Sequence, residues 1–154
     1  MAEPKFVAKH GQVNYTDIRY APKVHVVVTH SNKILCVRRS TDMRLYPGQW
    51  DWVSGFLDDD QSIEDKASQQ LGEELGMAPE YIVNVKRGQI IIEEAPEYQK
   101  TWFIVPVLAE ISTDKFTLDW EASSGQWFSL DELKTLDMVP GSLPLAAQFF
   151  PELL

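Results

Sequence analysis

The sequence is short of thiols, of imidazoles and of positive charge. One cysteine, Cys36, stands among 154 residues. No intrachain disulfide can form, and the apolar neighbours Ile34, Leu35 and Val37 mark Cys36 as a buried structural thiol that suits a reducing compartment. None of the three histidines is a candidate base. His25 alternates with Val24 and Val26 on a half-exposed sheet face, and His10 and His30 sit beside expected turns. Fourteen Lys and Arg against 23 Asp and Glu leave a net charge of -9. Such a surface repels nucleic-acid phosphates and anionic lipid, which excludes a duplex binder or a membrane-surface protein. An anionic small molecule would have to recruit positive charge locally, and a divalent cation is the obvious source. No apolar stretch approaches the roughly 18 residues that a membrane span needs. The opening Met-Ala-Glu-Pro-Lys has no apolar signal core, so the expected location is the cytoplasm. Repeats and low-complexity linkers are absent as well.

What is present is an ordinary globular composition, 44% hydrophobic and 24% charged, which excludes a disordered chain and fits one domain with one sizeable core. Residues 1–22 are polar. Short alternation around Phe6 to Ala8 and Val13 to Tyr15 suggests an N-terminal arm or hairpin, with the main domain over 23–154. An arm of this kind could exchange between the protomers of a homodimer. Val24 to Thr29 and Lys33 to Arg39 are β-branched runs joined at Ser31-Asn32, a hairpin signal. Gln49 to Phe56 reads as a third strand, entered through the turn residues Pro47-Gly48. Strands are further expected over Tyr81 to Glu93, Thr101 to Ile111 and, briefly, Gln126 to Phe128. Ser129 and Glu132 cap a second helix, and Ser142 to Phe150 forms a last one. Strands flanking a well-capped central helix point to an α/β sandwich with a mixed sheet.

The central helix carries the chemistry. Ile63, Ala67, Leu71 and Leu75 recur every four residues as one apolar stripe. Ser62 with Asp65 starts the helix, and Gly76, followed by Met77 and Pro79, stops it. On a wheel of about 100° per residue the stripe centres near 60° from Ile63. Glu74 then falls at about 20°, on the stripe's edge, with Gln70 beside it at about -20° and Glu73 turned toward solvent. A carboxylate aimed partly at the core needs a cation, an arginine or a set of hydrogen bonds. Ahead of the helix stands an acidic loop, Asp58-Asp59-Asp60. It either stabilises the helix N-terminus or adds metal ligands.

Gly55 to Met77 resembles the signature of the Nudix hydrolases: a glycine, a glutamate, then an Arg-Glu-apolar-x-Glu-Glu-x-Gly-apolar helix. Without a gap, Gly55, Leu71, Glu73, Glu74, Gly76 and Met77 match. The flanks agree through Val37-Arg38-Arg39, Pro47-Gly48-Gln49-Trp50 and Trp127 to Leu133, so the resemblance spans about residues 23 to 136. It implies a Nudix-type α/β/α sandwich. It also implies a Mg²⁺ ion, or Mn²⁺ in its place, held by Glu73, Glu74 and the Gly55 carbonyl against the diphosphate of a nucleoside diphosphate-linked small molecule. Water then cleaves the diphosphate. Hard oxygen ligands are what Mg²⁺ prefers.

Three charged positions of that signature are neutral here. Gln61 stands for its first glutamate, and Gln69-Gln70 for its Arg-Glu pair. A glutamine takes up no proton at neutral pH and brings no charge to a cation. Two readings follow. Either Glu73 and Glu74 keep one metal and the base comes from elsewhere, or hydrolysis is lost and a nucleotide-binding module remains on the scaffold. Glu93, Glu94 and Glu97, between two expected strands, are the carboxylates available as base, with Glu94 as the candidate. For substrate contacts, Arg38 and Arg39 offer phosphate forks, of which strand alternation lets one face the cleft. Gln70 remains a substrate-contact candidate. Trp50, Trp52 and Trp102 are candidates to stack a base, or else core residues.

Overall fold

The computed structural model describes residues 14–154. The alternation at Phe6 to Ala8 therefore lies outside the described residues. Tyr20 to Pro22, grouped above with the arm, already belong to the first strand. Ahead of that strand, the buried Lys100 ammonium donates to the carbonyls of Tyr15, Thr16 and Ile18 and ties this stretch to the sheet.

β1 (Tyr20–His30) and β2 (Lys33–Arg39) form the expected hairpin. Ser31 and Asn32 both take positive φ, the pair of left-handed residues that a two-residue turn needs to match strand twist. Pairing between the two strands covers only Val28 to His30 against Lys33 to Leu35. Beyond it they splay, and this divides the third expected strand. β3 (Trp50–Asp51) pairs with β2, and β4 (Val53–Phe56) pairs with β1. Trp52 sits at the crossover, fully buried, its indole N–H donating to the Ser142 carbonyl at 3.1 Å.

α1 (Ile63–Leu75) begins where the cap was expected, with the Asp65 N–H donating to Ser62 Oγ at 3.1 Å. It ends in a left-handed Gly76 whose N–H reaches the Gly72 carbonyl, while Met77 N–H reaches that of Leu71. These two bonds satisfy carbonyls that would otherwise be orphaned.

The strand expected over 81–93 is two strands, β5 (Ile82–Arg87) and β6 (Ile91–Ala95), laid end to end along one edge of β7 (Lys100–Ile111). Arg87 pairs with Val107 and Ile91 with Ile104, so three residues face Val105 and Pro106. Pro106 has no N–H to continue the ladder, and the edge bulges there. β7 runs parallel to β1 over ten pairs, from Tyr20 with Thr101 to Thr29 with Glu110. β8 (Ala122–Phe128) pairs with β2 and is longer than expected. Its first half, Ala-Ser-Ser-Gly, has no apolar alternation to reveal it.

Two short helices close the chain, α2 (Leu130–Leu133), with a complete Ser129–Glu132 capping box, and α3 (Ser142–Ala146). α3 stops at Ala146 and gives way to turns and a 3₁₀ segment at Pro151–Leu153. The eight strands among the described residues share one mixed sheet. On one face Val24, Val26, Val28, Val53, Val107 and Ala109 pack with Ala67, Leu71 and Leu75 of α1. On the other Val27, Ile34, Cys36, Trp102 and Phe128 pack with Leu133 of α2, Leu145 and Ala146 of α3 and Leu153. The result is the expected α/β/α sandwich. Among the described residues no helix is long and apolar enough to cross a membrane.

Candidate active site

The strand–loop–helix from β4 to α1 is pinned from within. Lys66, on the second turn of α1 and 2% exposed, donates to Asp58 Oδ1 at 2.9 Å and to Asp59 Oδ2 at 3.1 Å. Burial works against its ammonium, but the two carboxylates outweigh burial and hold its pKa above the ordinary value. The acidic loop thus spends two of its carboxylates on the helix. Gln61 is exposed, and its backbone N–H donates to Asp59.

At the other end of α1, Glu74 and Gln70 face β4, as the helical wheel places them. Gln70 lies flat on Gly55. A Cβ there would stand 2.4 Å from Gln70 Cδ, so any other residue must displace the Gln70 amide. The Gln70 amide donates to Glu74 Oε2 and to the Ser54 carbonyl, each at 3.0 Å. Glu74 is 9% exposed. Burial pushes its carboxyl well above the ordinary carboxylate range, and the charges of Glu121, Asp119 and Asp51 push it further. A backbone hydrogen bond from Ser54 only partly offsets them. Glu73 faces solvent, accepts from Gln69 Nε2 at 2.7 Å, and acts electrostatically on Asp119, whose own carboxyl is raised by burial. Gly55, Gln70, Glu73 and Glu74 are thus brought together. Asp119 and Glu121, on the loop before β8, join them. The sequence shows these two as an acidic pair flanking Trp120, but it takes the β2–β8 pairing and the Thr117 N–H on the Leu75 carbonyl, at 2.9 Å, to carry their loop to α1.

Other sequence candidates have different surroundings. Glu94 accepts from Thr101 Oγ1 at 2.7 Å and pairs with Arg19 at 3.3 Å. It is its neighbour Glu93 that strand alternation turns into a cleft. Arg38 Nε donates to the Gly48 carbonyl at 2.9 Å. Arg39 Nε donates to the Leu45 carbonyl at 2.7 Å, and its Nη1 lies 3.5 Å from Asp51. Trp50 meets Phe128 edge to face with ring centroids 5.1 Å apart. Trp52 and Trp102 are both buried in the core.

The cleft lies on the sheet face opposite α1 and is lined by Lys23, His25, Arg39, Asp51, Glu93 and Trp102, among others. His25 is 6% exposed rather than half-exposed, and neither ring nitrogen has a partner. Burial, and then the charges of Lys23 and Arg39, hold its pKa well below the ordinary value, so the imidazole is neutral. Burial raises Asp51, opposed by Arg39 and Lys23. Burial also raises Glu93, and Asp51 and Glu97 add to the effect.

Among the described residues no three His, Cys, Asp or Glu side chains close on a common point as a ready cage. The donor set nonetheless fits a hard cation. Its atoms are carboxylate and carbonyl oxygens, and the buried Glu74 lies in the field of Glu121, Asp119 and Asp51. Mg²⁺ is commonly held by one or two carboxylates together with substrate phosphates rather than by an all-protein cage.

Comparison with known proteins bears on the fold and the family. No curated protein matches the chain. The fold is shared with a MutT protein from Methanosarcina mazei, at 21% identity and a TM-score of 0.70 over 88% of this chain and 96% of that one. It is shared with the NUDIX domain of Shewanella oneidensis NrtR, whose structure is a complex with ADP ribose, at 19% identity and a TM-score of 0.69 over 88% of each chain. A bifunctional NMN adenylyltransferase/ADP ribose pyrophosphatase from Francisella tularensis, in complex with AMP and a Mn ion, is similar at 18% identity and a TM-score of 0.71. There the match covers 88% of this chain and 42% of that one. The family profile described as the NUDIX domain matches residues 19–149. With a match over that span, the chain belongs to the NUDIX hydrolase family.

Proposed function

We propose that the protein is a cytoplasmic hydrolase that cleaves the diphosphate linkage of a nucleoside diphosphate derivative with Mg²⁺, for which Mn²⁺ can substitute. One observation carries this reading: Glu74 is a buried carboxylate in the field of Glu121 and Asp119, clamped by the Gln70 amide that lies on Gly55. Glu74, Glu73 and the Gly55 carbonyl would hold the metal, which when bound would supply screening of phosphate charge and activation of water. Gln70 orients Glu74 by donating to its Oε2 while it anchors on the Ser54 carbonyl. Glu121, from the facing loop, accepts the proton of the attacking water. Glu94, tied to Arg19 and Thr101, leaves that role to it. The ADP ribose and AMP complexes of the relatives support a nucleotide-derived substrate, and the buried, unpaired Cys36 thiol is at home in the cytoplasm.

The Gln70 amide also supports a second reading. A neutral group at this position clamps Glu74 without adding charge, which would suit a nucleotide-binding module that no longer turns over. Incubation with Mg²⁺ or Mn²⁺ and a panel of nucleoside diphosphate derivatives separates the two. The hydrolase reading expects turnover that falls at least about a hundredfold in Glu74→Gln and in Glu121→Gln. A silent wild type whose Gln70→Glu variant cleaves the panel would establish the binding module instead.

A further inference from the structure

A chain of net charge -9 that receives a diphosphate needs a fixed cation next to the acidic group. The two arginines that the sequence offers are engaged otherwise. Arg38 and Arg39 each spend Nε on a carbonyl of the 40–49 loop, and Arg39 is further balanced by Asp51. Lys23 is different. Its Nζ stands 4.7 Å from the centroid of the Trp102 ring and 5.6 Å from that of Phe56. Among the described residues it forms no ion pair. An aromatic face holds an ammonium by its quadrupole and leaves the charge unneutralised, with N–H donors still to place. The same side chain lines the cleft beside the unpartnered His25 imidazole. In that cleft it is near Asp51 and Glu93, which line it as well.

We propose that Lys23 is the substrate-binding cation of this site, donating from its ammonium to a non-bridging phosphate oxygen of the diphosphate. The assignment rests on the hydrolase reading above. Burial lowers the Lys23 pKa to about 8, against the pull of nearby carboxylates. The ammonium therefore remains mostly charged at neutral pH but is poorly solvated, and an incoming phosphate replaces the water it has lost. The aromatic support fixes the ammonium before the ligand arrives, so little side-chain freedom is lost on binding.

Calorimetric titration of the full chain tests this, with Mg²⁺ alone, then with inorganic pyrophosphate and with ADP-ribose in the presence of Mg²⁺. It compares wild type, Lys23→Met and Lys23→Arg, each checked for its fold by circular dichroism. Lys23→Met should weaken both phosphate ligands about tenfold or more, the loss expected for one charge-assisted hydrogen bond. Lys23→Arg should restore most of that affinity. Binding of Mg²⁺ alone should be unchanged or tighter in Lys23→Met, because a positive charge has left the neighbourhood of Glu74. A merely structural lysine would weaken all three ligands together, and that outcome overturns the assignment. Equal phosphate affinity in wild type and Lys23→Met overturns it too, and leaves the hydrolase reading standing. A wild type that binds neither phosphate ligand overturns both.

Discussion

At the scale of single residues, the contact between Gly55 and Gln70 explains why two positions fifteen apart in sequence cannot vary independently. Gly55 lies on β4 opposite Val24, with its Cα toward α1, and the Gln70 amide occupies the volume that a side chain would take. Gly55→Ala must push that amide away and break its bonds to Glu74 and the Ser54 carbonyl. Two hydrogen bonds lost at a buried site cost about 1–3 kcal/mol, which urea denaturation can read. Truncating the neighbour as well, in Gly55→Ala/Gln70→Ala, removes the clash, so the double variant should be more stable than the sum of the two single losses predicts. Strict additivity would mean that the close approach has no energetic weight. The same contact bears on Gln70→Glu. A carboxylate in place of the amide stands about as close to Glu74 Oε2 and loses both donated bonds. Without divalent metal this variant should be less stable than wild type, with the deficit narrowing as Mg²⁺ is added.

At the scale of elements, α1 is held at its two ends by different means, and they fail under different conditions. Its C-terminus relies on Gly76 and two backbone bonds, which pH does not touch. Its N-terminal half relies on Lys66 clasping Asp58 and Asp59 at exposures of 3%, 8% and 20%. Lys66→Met fills the same volume but leaves Asp58 buried without its cation, and should cost about 3–5 kcal/mol at neutral pH. The pKa of Asp59 is depressed: burial opposes the shift, but the Gln61 N–H and Lys66 outweigh it. A depressed carboxylate contributes stability that is present above its unfolded pKa and lost as pH falls through the folded one. The gap between wild type and Lys66→Met should therefore narrow below about pH 4. A gap constant down to pH 2 would assign the loss to packing alone.

The elements also differ in how far the chain announces them. α1 was legible because its stripe, its Ser62 cap and its Gly76 stop are all written within fifteen residues. The β1–β2 hairpin was legible for the same reason. The division of 49–56 between two partners and the break at Gly88–Ile90 were not, because each is imposed by a strand elsewhere: the splay of β1 from β2, and Pro106 on β7. The site divides along the same line. Gly55, Gln70, Glu73 and Glu74 sit on one local motif and were readable. Asp119 and Glu121 enter through a sheet pairing and a loop-to-helix bond that no local pattern encodes.

At the scale of the whole molecule, the net charge of -9 and the acidic group at α1 make separable predictions about ions. Any salt screens the general self-repulsion and should stabilise the fold modestly. A divalent cation that also binds at Glu74 adds a mass-action term, about 1.4 kcal/mol at a tenfold excess over its dissociation constant. For a chain of this length that corresponds to a rise in melting temperature of roughly 3–6 °C. The comparison is Mg²⁺ against NaCl at matched ionic strength, in wild type and in Glu74→Gln. The excess shift from Mg²⁺ should be present in wild type and absent from the variant, while the NaCl shift is common to both. Glu74→Gln should also start from a higher melting temperature in the absence of divalent ions, because it removes a buried carboxylate whose field is unfavourable. A residue that destabilises the apo-protein and is stabilised by metal is placed for binding rather than for folding. Equal shifts from the two salts would reduce the acidic group to surface charge.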